Sequence, residues 1–317
     1  NTILMHRQPE GIWRLDYQLP PNETPEQALA PESLHTRIQA QLDMVGISAP
    51  WELDWCSVYS ARAMTLPDYV HERIIFTGDA AHMLPIFGVR GANTGFQDAQ
   101  NLAWKLAMLL KGVGTPELLA TYSSERVIAA REIIAEASKS TRFMTPPDRG
   151  YRLLRDAVLS LSLTQAFVRP LFHWRTSRPH DYHETPLNAL NDDNGQFTAG
   201  SAQGMPLQNI RLAANDYLFD HLGAAFHLLY FTNQTVPESL LQQVAELEQQ
   251  GIPLKILTIG KGQALADSDG HFAKRYDAQT GTAYLIRPDQ HVCARWKNLT
   301  AEQLKAAIYR ALGQGAK

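Results

Sequence analysis

Residues 78–95 of this 317-residue chain read Gly-Asp-Ala-Ala-His-Met-Leu-Pro-Ile-Phe-Gly-Val-Arg-Gly-Ala-Asn-Thr-Gly. An acidic side chain, Asp79, is followed at loop spacing by Gly88, Gly91 and Gly95, which let a backbone come close to a ligand without Cβ clashes. Asp79 suits sugar-like hydroxyls. The glycines lead into a helix, whose unpaired N–H groups and partial positive charge attract an anion or an electron-rich carbonyl. Together these residues suit a flat, oxygen-rich ligand at a helix mouth. The plainer alternative is a glycine-rich connection between a strand and a helix.

The flanking elements place that loop. Arg73-Ile74-Ile75-Phe76-Thr77 has the short apolar, β-branched character of a buried strand, with Asp79 just past its end. Downstream, Phe96, Ala99, Leu102, Ala103, Leu106, Leu109 and Leu110 recur every three or four residues, which predicts an amphipathic helix of about four turns with these residues on its buried face. Before the loop, strand-like runs cover Gly11–Leu19 and Trp51–Tyr59, separated by a proline-rich turn and a helix over Pro31–Val45. From Thr115 to Trp174 the chain reads as helical, with Pro116 in a first turn. Glu125 and Arg126 in that region read as a solvated face or a local ion pair.

The segment from Arg73 to Ala107 resembles the second flavin-binding motif of the FAD-dependent aromatic hydroxylases, the group A flavoprotein monooxygenases related to phenol hydroxylase and 3-(3-hydroxyphenyl)propionate hydroxylase. The resemblance implies that Gly78 and Asp79 meet the ribityl chain. It also implies that Pro85, Gly88, Gly91, Ala92 and Asn93 lie against the isoalloxazine ring, and that Gln97–Ala107 forms the family's helix. Many members carry a second glycine and a glutamine where this chain has Val89 and Arg90. Arg90 then either stabilises negative charge at flavin N1 and C2=O or pairs with a surface carboxylate. His82 reads as a positioned structural residue near the cofactor rather than as an acid or base.

The same resemblance places a substrate sheet before the loop, with Trp13, Tyr17, Trp55 and Tyr59 as aromatic candidates for its substrate face; core packing is the alternative for each. It implies that NAD(P)H reduces the flavin, that O2 adds at C4a, and that the resulting hydroperoxide hydroxylates a phenol-like ring. It names no general base. Two other readings stay open: an FAD-dependent oxidoreductase without oxygen transfer, and a non-catalytic dimerisation or interaction module.

A dinucleotide-binding βαβ unit needs Gly-x-Gly-x-x-Gly, and this chain has none. Gly260-Lys261-Gly262 has Leu265 in place of the third glycine and reads as a strand-to-loop turn. The chain starts at Asn1 directly in strand-like sequence. The expectation is therefore the C-terminal part of a longer enzyme, which retains little or no flavin by itself.

After a His/Pro/Asn/Gly-rich connector at 175–204 come strand-like Ala224–Phe231, a helix over Pro237–Gln250 and strand-like Leu254–Ile259. A hairpin through Thr282–Asp289 and His291–Trp296 follows. The last helix runs from Thr300 to Leu312, with Thr300 and Gln303 as a capping box. This pattern resembles the thioredoxin-like C-terminal domain of the phenol hydroxylase branch, with an expected structural role that includes homodimer contacts.

The fold expected is thus α/β (α+β). Residues 1–174 form part of a substrate sheet, the flavin-contacting motif and a helical region, 175–204 a connector, and 205–317 the thioredoxin-like domain. Composition agrees with a globular chain: 44% of residues are hydrophobic, 19% are charged, and the net charge is −3, with no basic block to attract nucleic acid or an anionic membrane. The two cysteines, Cys56 and Cys293, have no metal or redox spacing, which suits a reducing cytoplasm. The apolar stretch Leu153–Trp174 is broken by Arg155, Asp156 and Arg169, and so fails as a membrane span.

Overall fold

The computed structural model describes residues 3–86, 90–172 and 180–315. The chain folds as two compact units. One comprises Asn1–Ala63, Pro85–Phe87 and Ala135–Trp174; the other comprises Met64–Leu84, Gly88–Ile134 and Arg175–Lys317.

In the first unit, β1 (Ile3–Arg7) and β2 (Trp13–Tyr17) form an antiparallel hairpin with Ile3 opposite Tyr17 and Arg7 opposite Trp13. A Thr24/Gln27 capping box opens the short α1 (Pro25–Ala28), and α2 (Pro31–Met44) starts on a proline whose missing N–H costs nothing at a first turn. The expected strand at Trp51–Tyr59 is not formed, and no regular element occurs between Met44 and β3 (Met64–Thr65). Alternation alone does not make a strand. A strand needs a hydrogen-bonded neighbour, and no strand among the described residues pairs with this segment.

In the second unit, β3 pairs with β6 (His82–Met83), while β4 (Val70–His71) pairs with β5 (Ile74–Ile75). The strand expected over Arg73–Thr77 is thus reduced to a two-residue ladder. Two long helices follow, α3 (Gly91–Leu110) and α4 (Pro116–Met144), the latter crossing the boundary between the units; α5 (Arg149–Ser162) returns to the first unit. No helix among the described residues is long and apolar enough to cross a membrane.

Beyond the β7–β8 hairpin (Arg211–Ala213, Asp216–Tyr217) lies a five-stranded sheet. Its strands are β9 (Phe226–Phe231), β10 (Leu254–Gly260), β11 (Leu265–Ala266), β12 (Ala283–Ile286) and β13 (Val292–Trp296), in the order β11-β10-β9-β12-β13. A crossover through α6 (Glu238–Gln249) makes β9 and β10 parallel neighbours, as a βαβ unit requires. β12 is antiparallel to both β9 and β13. Both faces of the sheet are covered, so β9, β12 and β13 are buried along their whole length.

Side chains alternate between two cores. Phe226, Leu228 and Tyr230 join Trp104, Met108 and Leu118 from α3 and α4 and Leu304 and Ile308 from α8 (Ala301–Ala311). Leu229 and Phe231 join Phe272 of α7 (His271–Arg275) and Tyr276 on the other side. The helix that carries the glycine-rich loop is thereby packed against the C-terminal sheet through Trp104, which meets Phe226 edge-on at 5.7 Å.

Candidate functional site

Gly78, Asp79 and Ala80 form one turn of 3₁₀ helix, with Gly78 at φ +56°, a conformation that favours glycine. Asp79 is exposed there. The helix begins at Gly91, five residues before the apolar periodicity starts, so Gly91, Ala92 and Asn93 are its first turn and Arg90 its N-cap. That turn contains no acidic side chain to satisfy its N–H groups. Pro85 is buried, and Gly88 lies outside the described residues.

The buried face of α3 is not the apolar one expected. Phe96 is 72% exposed and Leu110 78%, and Ala99 and Ala103 are also exposed, whereas the buried side chains are Thr94, Asp98, Asn101, Trp104, Lys105 and Met108. Periodicity locates a helix, but it assigns the inward face only when burial is driven by apolar contact. Here the inward face is charged.

Asp98 is the first centre of that face. Its side chain is fully buried and accepts from Arg126 Nε at 2.6 Å, from His82 Nε2 at 2.7 Å and from the Gly78 backbone N–H at 3.1 Å. Burial alone would raise its pKa, but the His82 hydrogen bond and the Arg126 charge hold it below the usual carboxylate value. Arg126 also donates to the Tyr182 hydroxyl at 2.8 Å. Burial pushes that phenol up to about 12, against the pull of Arg126.

Glu125, the neighbouring residue on α4, anchors the second centre. It accepts from Lys105 at 2.7 Å, Asn101 at 2.7 Å, Thr185 at 2.6 Å and both terminal nitrogens of Arg287 at 2.8 and 2.9 Å. Asp289 takes further bonds from Arg287, from Asn101 at 3.2 Å and from Trp104 Nε1 at 3.1 Å. Burial lowers Lys105 to about 8 despite the attraction of Glu125. Glu125 and Asp289 go the other way: burial is outweighed by the surrounding cations, Arg287 foremost, and both carboxylates fall well below their usual range. Of the two readings of Glu125 and Arg126, the solvated face is wrong, as they are 3% and 1% exposed, and the ion pairs they form are with Lys105, Arg287 and Asp98, distant in sequence rather than local. A sequence signal existed in the polar stripe Asp98, Asn101, Lys105, at i, i+3 and i+7 of an otherwise apolar helix.

Arg90 has no such company. It is buried, its Nε and Nη2 atoms have no hydrogen-bond partner, and desolvation lowers its pKa. Among the described residues no carboxylate forms an ion pair with Arg90. A buried guanidinium with two nitrogens unpartnered among the described residues, beside a helix N-terminus lacking acids, fits an electron-rich carbonyl or anion. His180 is a related case: Nδ1 contacts Glu132 at 3.1 Å, while the buried Nε2 has no partner. His82 likewise leaves its buried Nδ1 without a partner.

The four aromatic candidates belong to the first unit. Trp13 and Tyr17 lie on one face of β2, with the Arg37 guanidinium 5.1 Å from the Tyr17 ring centroid. Trp55 and Tyr59 are 74% and 59% exposed in the strandless segment. No group of three or more metal-ligating side chains occurs among the described residues.

Residues 5–137 match the FAD binding domain family. The chain is 26% identical over 318 residues to the 3-(3-hydroxy-phenyl)propionate/3-hydroxycinnamic acid hydroxylase of Mycolicibacterium smegmatis, covering 95% of this chain and 55% of that protein. The enzyme of the same name from Comamonas testosteroni is 36% identical over 215 residues, 62% of this chain and 36% of that protein. Among solved structures, the flavin-dependent monooxygenase PieE in complex with FAD and substrate shares the fold, with a TM-score of 0.73, 22% identity and coverage of 98% of this chain and 59% of that one. The chain thus spans about half the length of the Mycolicibacterium relative, and less of the Comamonas one. The family match over residues 5–137 and these relatives support an FAD-dependent aromatic hydroxylase family, with FAD as its cofactor.

Proposed function

We propose that the chain is the C-terminal portion of an FAD-dependent monooxygenase that hydroxylates a phenolic ring with NAD(P)H and O2. The observation that carries this reading is Arg90: buried, with Nε and Nη2 unpartnered among the described residues, and at the N-terminus of α3. In this reading the pyrimidine edge of the flavin receives the Arg90 guanidinium and the N–H groups of Gly91–Asn93, while Asp79 takes ribityl hydroxyls. The bound flavin supplies the oxygen-activating chemistry; the protein's part is to orient it, exclude water and counter developing negative charge. Phe96, Ala99, Ala103 and Leu110 line an exposed apolar stripe of α3, which supports a further part of the enzyme covering it.

Residues 205–317 are read as a thioredoxin-like domain of structural role, supported by the parallel β9–α6–β10 unit beside the antiparallel β12–β13 hairpin. Its one cysteine, Cys293, is buried and its thiol is pushed up to about 12, which leaves no thiolate for redox exchange.

The test is substrate-stimulated NAD(P)H oxidation by the complete polypeptide across a panel of phenols and hydroxyphenylpropionates under ¹⁸O2. Incorporation of one labelled oxygen per product is expected. Oxidised product without label would replace the reading with a dehydrogenase, and absence of any flavin-dependent turnover would leave the interaction module.

A further inference from the structure

We infer that Asp98 is a positioning residue for the flavin site, one carboxylate that holds the Gly78–Asp79 turn against the first turns of α3. The inference rests on the flavin reading above and adds a residue outside the glycine-rich motif. The two halves of the proposed site come from separate pieces of chain: the turn after Thr77, and the helix that starts at Gly91. Asp98 sits on the helix, yet accepts from the backbone N–H of Gly78, the residue before Asp79, and from His82, just beyond the turn. The opposite oxygen takes Arg126, whose Nη2 reaches the Thr94 carbonyl and the Gln97 side chain in the same turns of α3 at 3.4 Å. At Gly95 an added Cβ would stand 3.6 Å from the Gly78 Cα, an ordinary contact distance, so the helix passes within about one methyl group of the turn that Asp98 ties to it. A neutral amide at position 98 can accept at one atom only. It must abandon either Arg126 or the Gly78–His82 pair.

The experiment is amide hydrogen exchange of the full chain without flavin, followed by FAD titration read by backbone chemical shifts. In the unaltered chain the Gly78 amide is expected to be protected and His82 to carry its proton on Nε2. In Asp98→Asn, Gly78 exchange is expected to rise about tenfold or more, the scale of one hydrogen bond to a charged acceptor, and FAD affinity to fall by a similar factor, with β9, β10 and β12 amides unchanged. Glu125→Gln is the control: it removes a buried carboxylate from the same helix pair without touching Gly78, so it should destabilise the fold while sparing Gly78 protection and FAD affinity. An unprotected Gly78 amide or an Nδ1–H His82 in the unaltered chain overturns the inference even if Asp98→Asn fails to fold. Equal losses in Asp98→Asn and Glu125→Gln overturn it as well. If FAD produces no shifts in the unaltered chain, the flavin reading fails, and Gly78 exchange still decides the role of Asp98 in the turn.

Discussion

Arg90 and Glu125 are both buried and charged, and substitution should move the protein in opposite directions. Glu125 is surrounded by Lys105, Arg287, Asn101 and Thr185. Glu125→Gln leaves Lys105 without its counter-charge and Arg287 with Asp289 alone, and breaking such a buried pair costs about 3–5 kcal/mol, which a thermal or urea melt would show. Arg90 keeps Nε and Nη2 unpartnered among the described residues: Arg90→Gln removes a desolvated charge and should raise the stability of the flavin-free chain by about 1 kcal/mol or more, while weakening FAD binding. A destabilised Arg90→Gln would mean that the guanidinium has an intramolecular function after all. These opposite roles were not legible in the sequence, because an arginine in a loop and a glutamate in a helix look the same whether they meet a partner or not. That partner, Arg287, lies 162 residues from Glu125.

At the scale of elements, the C-terminal sheet was readable because its strands are short apolar runs and its last helix carries its own start signal. The Thr300 side chain accepts from Gln303 N, and the Gln303 side-chain oxygen accepts in turn from Thr300 N. Thr300→Ala should therefore cost about 1 kcal/mol, measured by equilibrium unfolding. The glycine that resembled half of a phosphate loop has another duty. Gly260 ends β10 at φ +150°, and a Cβ there would lie 2.1 Å from the Thr232 carbonyl oxygen. Gly260→Ala should lower stability by about 1–3 kcal/mol and leave FAD binding unchanged. Two elements were misread for physical reasons. The segment 51–59 has strand composition but no strand beside it among the described residues, and the inward face of α3 is set by ion pairs that an apolar periodicity does not see.

For the whole molecule, the buried carboxylates set the response to acid. Asp98, Glu125 and Asp289 all titrate below their usual values when folded. Their contribution is complete above the unfolded pKa of about 4 and is lost as pH falls below it toward the folded values, because there the unfolded chain binds more protons. Unfolding below about pH 4 should therefore take up protons, and the midpoint temperature should fall steeply across that range; a flat profile would mean that these groups are not buried as charges. The family resemblance was legible because the Gly78–Gly95 loop and the helix after it are contiguous. What holds the loop in place was not, since it draws on Arg126 of α4 and, through it, on Tyr182.

The most direct test of the account is a titration of the ¹⁵N-labelled chain with FAD, followed amide by amide. The account predicts weak binding, too weak for the purified chain to stay yellow, with shifts concentrated at Gly78, Asp79 and Arg90–Asn93 and diminished in Arg90→Gln. Shifts centred elsewhere, or none at these residues at saturating FAD, would contradict it.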